Sequence, residues 1–110
     1  MKYHSLKKEK EFQRVFQAGK RINLPELTFI YLFHPDNPDN RLAVVASKKY
    51  FRQATQRNLI KRRLKAIISQ IKLVNDGVDV IIIAKTPILA RSFEELKGLL
   101  ESTFQKAQLS

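Results

Sequence analysis

Eight cations stand between Ser47 and Lys65 with no acid among them: Lys48, Lys49, Arg52, Arg57, Lys61, Arg62, Arg63 and Lys65. The whole chain carries 21 Lys+Arg against 10 Asp+Glu, so removing these eight leaves 13 against 10. Most of the net charge of +11 is therefore confined to one stretch. Guanidinium groups grip phosphate with a planar fork, and ammonium groups act on it as mobile point charges. Asn58, set among them, can hydrogen-bond a base edge or a 2′-hydroxyl. A solvated basic face is the plainer explanation, and it accounts for one or two such pairs. It accounts poorly for eight without a counter-charge. The stretch points to nucleic acid. Charge does not separate DNA from RNA.

Other chemistry is hard to assemble. The chain has no cysteine, which excludes a disulfide framework and cysteine-ligated zinc or iron–sulfur sites. His4 and His34 are isolated and read as surface residues, not as metal ligands. Glu94 and Glu95 follow Ser92 in the pattern of a capping box. Gly19, Gly77 and Gly98 are scattered, so no glycine-rich loop cradles phosphate. Metal-dependent nucleases need clustered acids, and the basic stretch has none. No catalytic residue is expected, and no protein-bound metal.

The elements that must hold the basic stretch follow from periodicity. The chain of 110 residues suits one domain spanning 1–110, with 44% hydrophobic and 28% charged residues. Residues 5–19 read as an amphipathic helix capped by Ser5 and stopped by Gly19. Phe12 and Phe16 stand at i,i+4 on it. They pack in the core, or they line a cleft where bases stack. Leu27–His34 is an aromatic and branched strand with both faces largely apolar. His34–Asn40, HPDNPDN, is a turn, and the short connection predicts an antiparallel hairpin with the next strand, Leu42–Ser47. Residues 48–55 read as an irregular connection. Residues 56–73 read as a helix with Ile60, Leu64, Ile67, Ile68 and Ile71 buried and the cations on the broad opposite face. Val78–Ala84 is a continuous apolar run, a central strand parallel to 42–47. The last helix is expected over 93–107. The order is α-β-β-β-α-β-α, an α+β fold. The N-terminus lacks the apolar segment of a signal peptide, and no run approaches a bilayer span, so a cytoplasmic protein without membrane contact is expected.

Several segments together resemble the protein component of bacterial ribonuclease P. RLAVVASKK followed by RNLIKRRLK is similar to that family's basic strand end and "RNR" helix. EFQRVFQAGKR resembles its F-x-x-V-F-x-x-G-x-R opening, and DVIIIAK with a final amphipathic helix completes the likeness over essentially the whole chain. Two positions depart from it. Leu59 replaces the third residue of RNR, and Phe51 stands where many members have glycine.

The resemblance implies an α/β sandwich like the second domain of small-subunit ribosomal protein five, with a left-handed crossover where the general rule predicts a right-handed one. It implies an endoribonuclease whose RNA subunit performs the magnesium-dependent chemistry. The protein would assist removal of the 5′ leader of precursor tRNA. By resemblance, Arg57, Asn58, Lys61, Arg62 and Lys65 face the catalytic RNA. Phe12, Phe16, Tyr31, Lys48, Lys49 and Arg52 meet the leader. Ile30 fits the family spacing as well as Tyr31 does, and which face of the strand lines the cleft is open. The implied cofactors are magnesium, bound mainly by the RNA, and the RNA subunit itself. The partners are that RNA and precursor tRNA, with one protein per RNA. A ribosome-associated RNA-binding protein and a protein-only nuclease are the rival readings.

Overall fold

The computed structural model describes residues 3–34, 38–73 and 77–109. Among these residues, one five-stranded sheet carries three α-helices and a 3-10 turn. In chain order the elements are β1 (His4–Ser5), α1 (Glu9–Ala18), β2 (Lys20–Asn23), β3 (Leu27–Phe33), β4 (Arg41–Val45), α2 (Ala54–Gln70), β5 (Val78–Ala84), a 3-10 turn at Thr86–Ala90 and α3 (Phe93–Lys106).

Across the sheet the strands run β1-β4-β5-β3-β2. β1, β4 and β5 are mutually parallel, and β3 is antiparallel to both β5 and β2. The parallel pairing of β4 with β5 through α2 is as the strand–helix–strand pattern predicts. The hairpin between β3 and β4 does not form. β5 lies between them, because its apolar run VDVIIIA, with six of its seven residues buried, gains most from a central position. Two strand spacings are only about 10 Å, which a seven-residue connection spans easily. A short loop therefore does not dictate adjacency. The connection bonds to the start of β5 on its way past: Gly77 N–H donates to Pro38 O at 3.1 Å, and Val78 N–H donates to Asn40 Oδ1 at 3.1 Å. The middle of the expected turn lies outside the described residues.

Alternation along the strands sorts the core into two layers. Leu27, Phe29, Val44, Val80, Ile82 and Ala84 face α2 and α3, where Ile60, Leu64, Ile67, Ile68, Leu96, Leu100 and Phe104 meet them. Ile30 and Ile81 face the other way, against Val15 of α1 and Leu6. Both faces of β3 are thus covered, as its composition suggests. α3 opens with the expected capping box, Glu95 N–H donating to Ser92 Oγ at 3.1 Å and Ser92 N–H to Glu95 Oε1 at 2.9 Å.

α1 is shorter than its periodicity predicts. Ser5 does not cap it, because residues 4–6 pair with the edge of β4: His4 N–H donates to Asn40 O, and Leu6 N–H to Leu42 O. Gly19 ends the helix for a steric reason. Its φ is −73°, open to any residue. A Cβ there would stand 2.4 Å from Val15 O and 3.0 Å from Tyr31 O, so only glycine lets the chain turn so close to β3.

Candidate nucleic-acid interface

The face of the sheet under α1 is a ladder of three rows set by strand register. Thr28–Ile83–Val45 is the first, Ile30–Ile81–Ala43 the second and Leu32–Asp79–Arg41 the third. Val15 seats α1 on the middle row. At 100° per residue, Glu11 and Arg14 fall on one side of Val15 and Phe12 and Phe16 on the other. Glu11 and Arg14 reach the third row. Phe12 and Phe16 therefore look over the first row, where Val45 and Ile83 are only half-buried, as is Ala43 of the second row. The result is a cleft with an aliphatic floor and an aromatic wall. The rings of Phe12 and Phe16 are 6.3 Å apart, and Phe16 is 37% exposed.

The structure decides between the two faces of β3. Ile30 belongs to the face under α1, at its buried second row. Tyr31 points to the opposite layer and stacks between Phe29 at 5.8 Å and Phe33 at 6.3 Å. Tyr31 is therefore not brought together with Phe12 and Phe16. Arg21, which sequence reasoning leaves without a role, is. Its guanidinium lies 5.7 Å from the centre of the Phe16 ring, and its Nη2 donates to Phe16 O at 3.3 Å. The signal for it was the arginine that ends F-x-x-V-F-x-x-G-x-R.

The third row holds the position of α1. Asp79 is fully buried. Arg41 binds it with a two-pronged fork, Nε to Oδ1 at 2.8 Å and Nη2 to Oδ2 at 2.9 Å. Arg14 Nη2 reaches Oδ2 at 3.4 Å, and Arg41 also pairs with Glu11. His34 Nε2 stands 2.7 Å from Asp79 Oδ1, off the line of an N–H···O bond. His34 is thus buried, contrary to its reading as a surface residue. The alternation of β3 puts it on the acid's side of the sheet. His4 is exposed, 3.8 Å from Asp39. α1 is tied through Glu11 and Arg14 to β4 and β5.

The cations follow at the end of β4. Beyond Val45 the chain turns at Ser47, whose carbonyl accepts from Tyr50 N–H and Phe51 N–H. Lys48, Lys49 and Arg52 project into solvent, with Lys49 Nζ 5.3 Å from the centre of the Tyr50 ring. Phe51 is 1% exposed and anchors this connection in the core, so the departure from glycine is absorbed by packing. On α2, Asn58, Arg62 and Lys65 face outward. Lys61 and Arg63 are half-buried on the flanks, and so is Leu59. Arg57 behaves differently from its neighbours. Its Nη1 donates to Phe51 O at 2.8 Å and to Arg52 O at 3.0 Å, bracing the connection. Among the described residues none of the eight cations forms an ion pair.

No group of three or more His, Asp or Glu that could hold a metal ion occurs among the described residues. The carboxylate of Asp79 is held by the guanidinium groups of Arg41 and Arg14, whose positive charge repels a cation. No helix among the described residues is long and apolar enough to cross a membrane.

A mixed α+β fold thus carries an aromatic wall beside a band of cations that meet no acid among the described residues, a surface suited to a polyanion. The ribonuclease P family model matches residues 1–108, and the chain belongs to that family. It is 36% identical over 107 residues to the ribonuclease P protein component of Bacillus cereus, covering 96% of this chain and 92% of that protein. The corresponding protein of Bacillus anthracis is equally similar, over 96% and 89%. Among solved structures, the Staphylococcus aureus RNase P protein superposes with a TM-score of 0.84 at 24% identity, over 98% of both chains. That of Thermotoga maritima does so with 0.70 at 23%, over 90% of this chain and 96% of that one. The fold is therefore that of the family, and the chain is the protein subunit of the tRNA-processing endoribonuclease ribonuclease P.

Proposed function

We propose that the chain binds the catalytic RNA through the outward side of α2 and receives the single-stranded 5′ leader of precursor tRNA in the cleft under α1. The observation that carries this is the juxtaposition at the end of β4. The half-buried floor residue Val45 is followed within a few residues by Lys48, Lys49 and Arg52, then by α2. One polyanion can lie in the cleft while another lies along α2, with the unpaired cations between them.

On this reading Asn58, Lys61, Arg62 and Lys65 meet the RNA subunit, and Arg57 shapes the connection that presents them. Phe12 and Phe16 offer ring faces to leader bases, a contact nearly independent of sequence because every base has a π-face. Arg21 extends that wall. Lys48, Lys49 and Arg52 neutralise backbone charge where the two RNAs converge, which lowers the cation concentration needed to hold them together. Magnesium supplies the hydrolytic chemistry from the RNA, since this chain offers it no carboxylate cluster among the described residues. The holoenzyme is read as one protein per RNA, in the cytoplasm.

The test is cleavage of precursor tRNA at low magnesium by the RNA alone, the protein alone and the two together. Cleavage is expected from the pair, and little from either part. Efficient cleavage by the protein alone, or no gain on adding it to the RNA, sinks the proposal.

A further inference from the structure

A second aromatic and cationic feature lies on the opposite side of the sheet, where the cleft reading has no use for it. Four rings form a file from the core to the surface. Phe104 meets Phe29 edge-on at 5.0 Å, Phe29 meets Tyr31 at 5.8 Å, and Tyr31 meets Phe33 edge-on at 6.3 Å. Phe104 and Phe29 are fully buried, while Phe33 is 45% exposed. The outer two rings line a recess of about 310 Å³ with Lys20, Lys106, Ala107 and Gln108. No acid lines it. Lys20 and Lys106 are exposed, one on β2 and one in the last turn of α3.

The position of this notch links it to the cleft. β2 is the edge strand, so the two faces of the sheet meet around it. Its successive residues alternate between them. Arg21, opposite Ile30, lies over Phe16 on the cleft side, and Lys20, opposite Tyr31, lines the notch on the other. A flexible polyanion leaving the cleft past Phe16 and Arg21 meets Lys20 as it rounds the edge, and then the rings of Tyr31 and Phe33. Stacking surface flanked by cations is the arrangement that holds single-stranded nucleic acid with little sequence preference.

We infer that Tyr31, Phe33, Lys20 and Lys106 form a second subsite for single-stranded RNA, which holds the part of a leader that extends beyond the cleft and folds round the β2 edge. The inference rests on the reading that the leader occupies the cleft. It gives Tyr31 a leader contact from the face opposite Phe12 and Phe16. It also predicts that affinity rises in two stages as the leader lengthens.

The experiment measures the affinity of the assembled ribonucleoprotein for precursor tRNAs whose oligouridine leaders are lengthened one nucleotide at a time. Phe33→Ala and the double variant Lys20→Ala/Lys106→Ala should match the wild type on the shortest leaders and on mature tRNA. On leaders long enough to round the edge they should lose affinity, on the order of tenfold for Phe33→Ala. Phe33→Tyr, which keeps a ring, should restore the second stage. The inference is overturned if the variants follow the wild type at every length. It is overturned equally if they lose affinity uniformly, mature tRNA included, or if Phe33→Ala acts by changing the oligomeric state of the free protein. Phe16→Ala separates the two readings, because it should already weaken the shortest leaders. If it does not, the cleft reading fails, and a length-dependent loss in Phe33→Ala would leave the notch standing without it.

Discussion

Arginine does two kinds of work in this molecule, and the presence of an acid decides which. Beside α1, Arg41 and Arg14 converge on the buried Asp79, and Arg41 also holds Glu11. Near the start of α3, Arg91 binds Glu26 at 2.7 Å and Glu95 at 3.4 Å, and its guanidinium is held more strongly protonated, first by the hydrogen bond and then by the charge of Glu26. In the stretch 47–65, by contrast, no cation meets an acid among the described residues, and Arg57 turns to backbone carbonyls. Glu11, Glu26, Asp79 and Glu95 stand where arginines build the fold. The cations without acids make a field directed outward. Charge of the same type is consumed in one region and left available in the other.

That contrast is broken most sharply at Asp79. Asp79→Ala would leave Arg41, Arg14 and His34 around an empty site, and loss of one partner from a buried pair costs about 3–5 kcal/mol. A urea unfolding midpoint should fall accordingly. A small shift would show that the network is dispensable. The opposite region should respond in binding and not in stability. Lys61→Ala with Arg62→Ala is expected to leave the unfolding midpoint nearly unchanged. It should weaken RNA-subunit binding and flatten the log–log salt dependence by about 1.5, from roughly 0.7–0.9 per phosphate contact. An unchanged slope would remove these residues from the interface.

Phe16→Ala sharpens the comparison by testing the cleft between the two regions. It should weaken precursor tRNA by about 1–3 kcal/mol and spare mature tRNA, and equal losses for both would count against the cleft. The smallest effect belongs to the cap of α3. Ser92→Ala should cost about 0.5–2 kcal/mol in thermal unfolding. The Glu95 carboxyl is held below its ordinary range, first by the Ser92 backbone N–H and then by its hydroxyl. A carboxyl whose folded pKa lies below its unfolded one contributes stability that is present above the unfolded value and is lost as pH falls through the folded value. Glu95→Gln should therefore flatten the acid limb of the stability profile, and an unaltered limb would show that the cap bond is not formed in solution.

Local spacing specifies much of this molecule. The buried stripe of α2, the central run of β5 and the Ser92 box follow from spacing over a few residues, and each forms as expected. Features decided by partners distant in the chain did not show. Ser5 is drawn into a strand by β4, His34 is buried because the start of β5 carries Asp79, and β3 and β4 are separated by a strand that comes almost forty residues later. Tyr31 and Ile30 are neighbours with similar apolar character, and only the placement of α1 tells which one faces the cleft.

The sequence by itself determined the partner class, because charge density is a property of composition and needs no fold to be counted. It also determined the family, because RNLIKRRLK, EFQRVFQAGKR and their order are legible as text. Tertiary structure alone decided which cations are available. Pairing depends on which acids come within about 4 Å, and strand order sets that: Asp79 meets Arg41 only because β5 lies beside β4, and no acid among the described residues comes that close to Arg62 or Lys65.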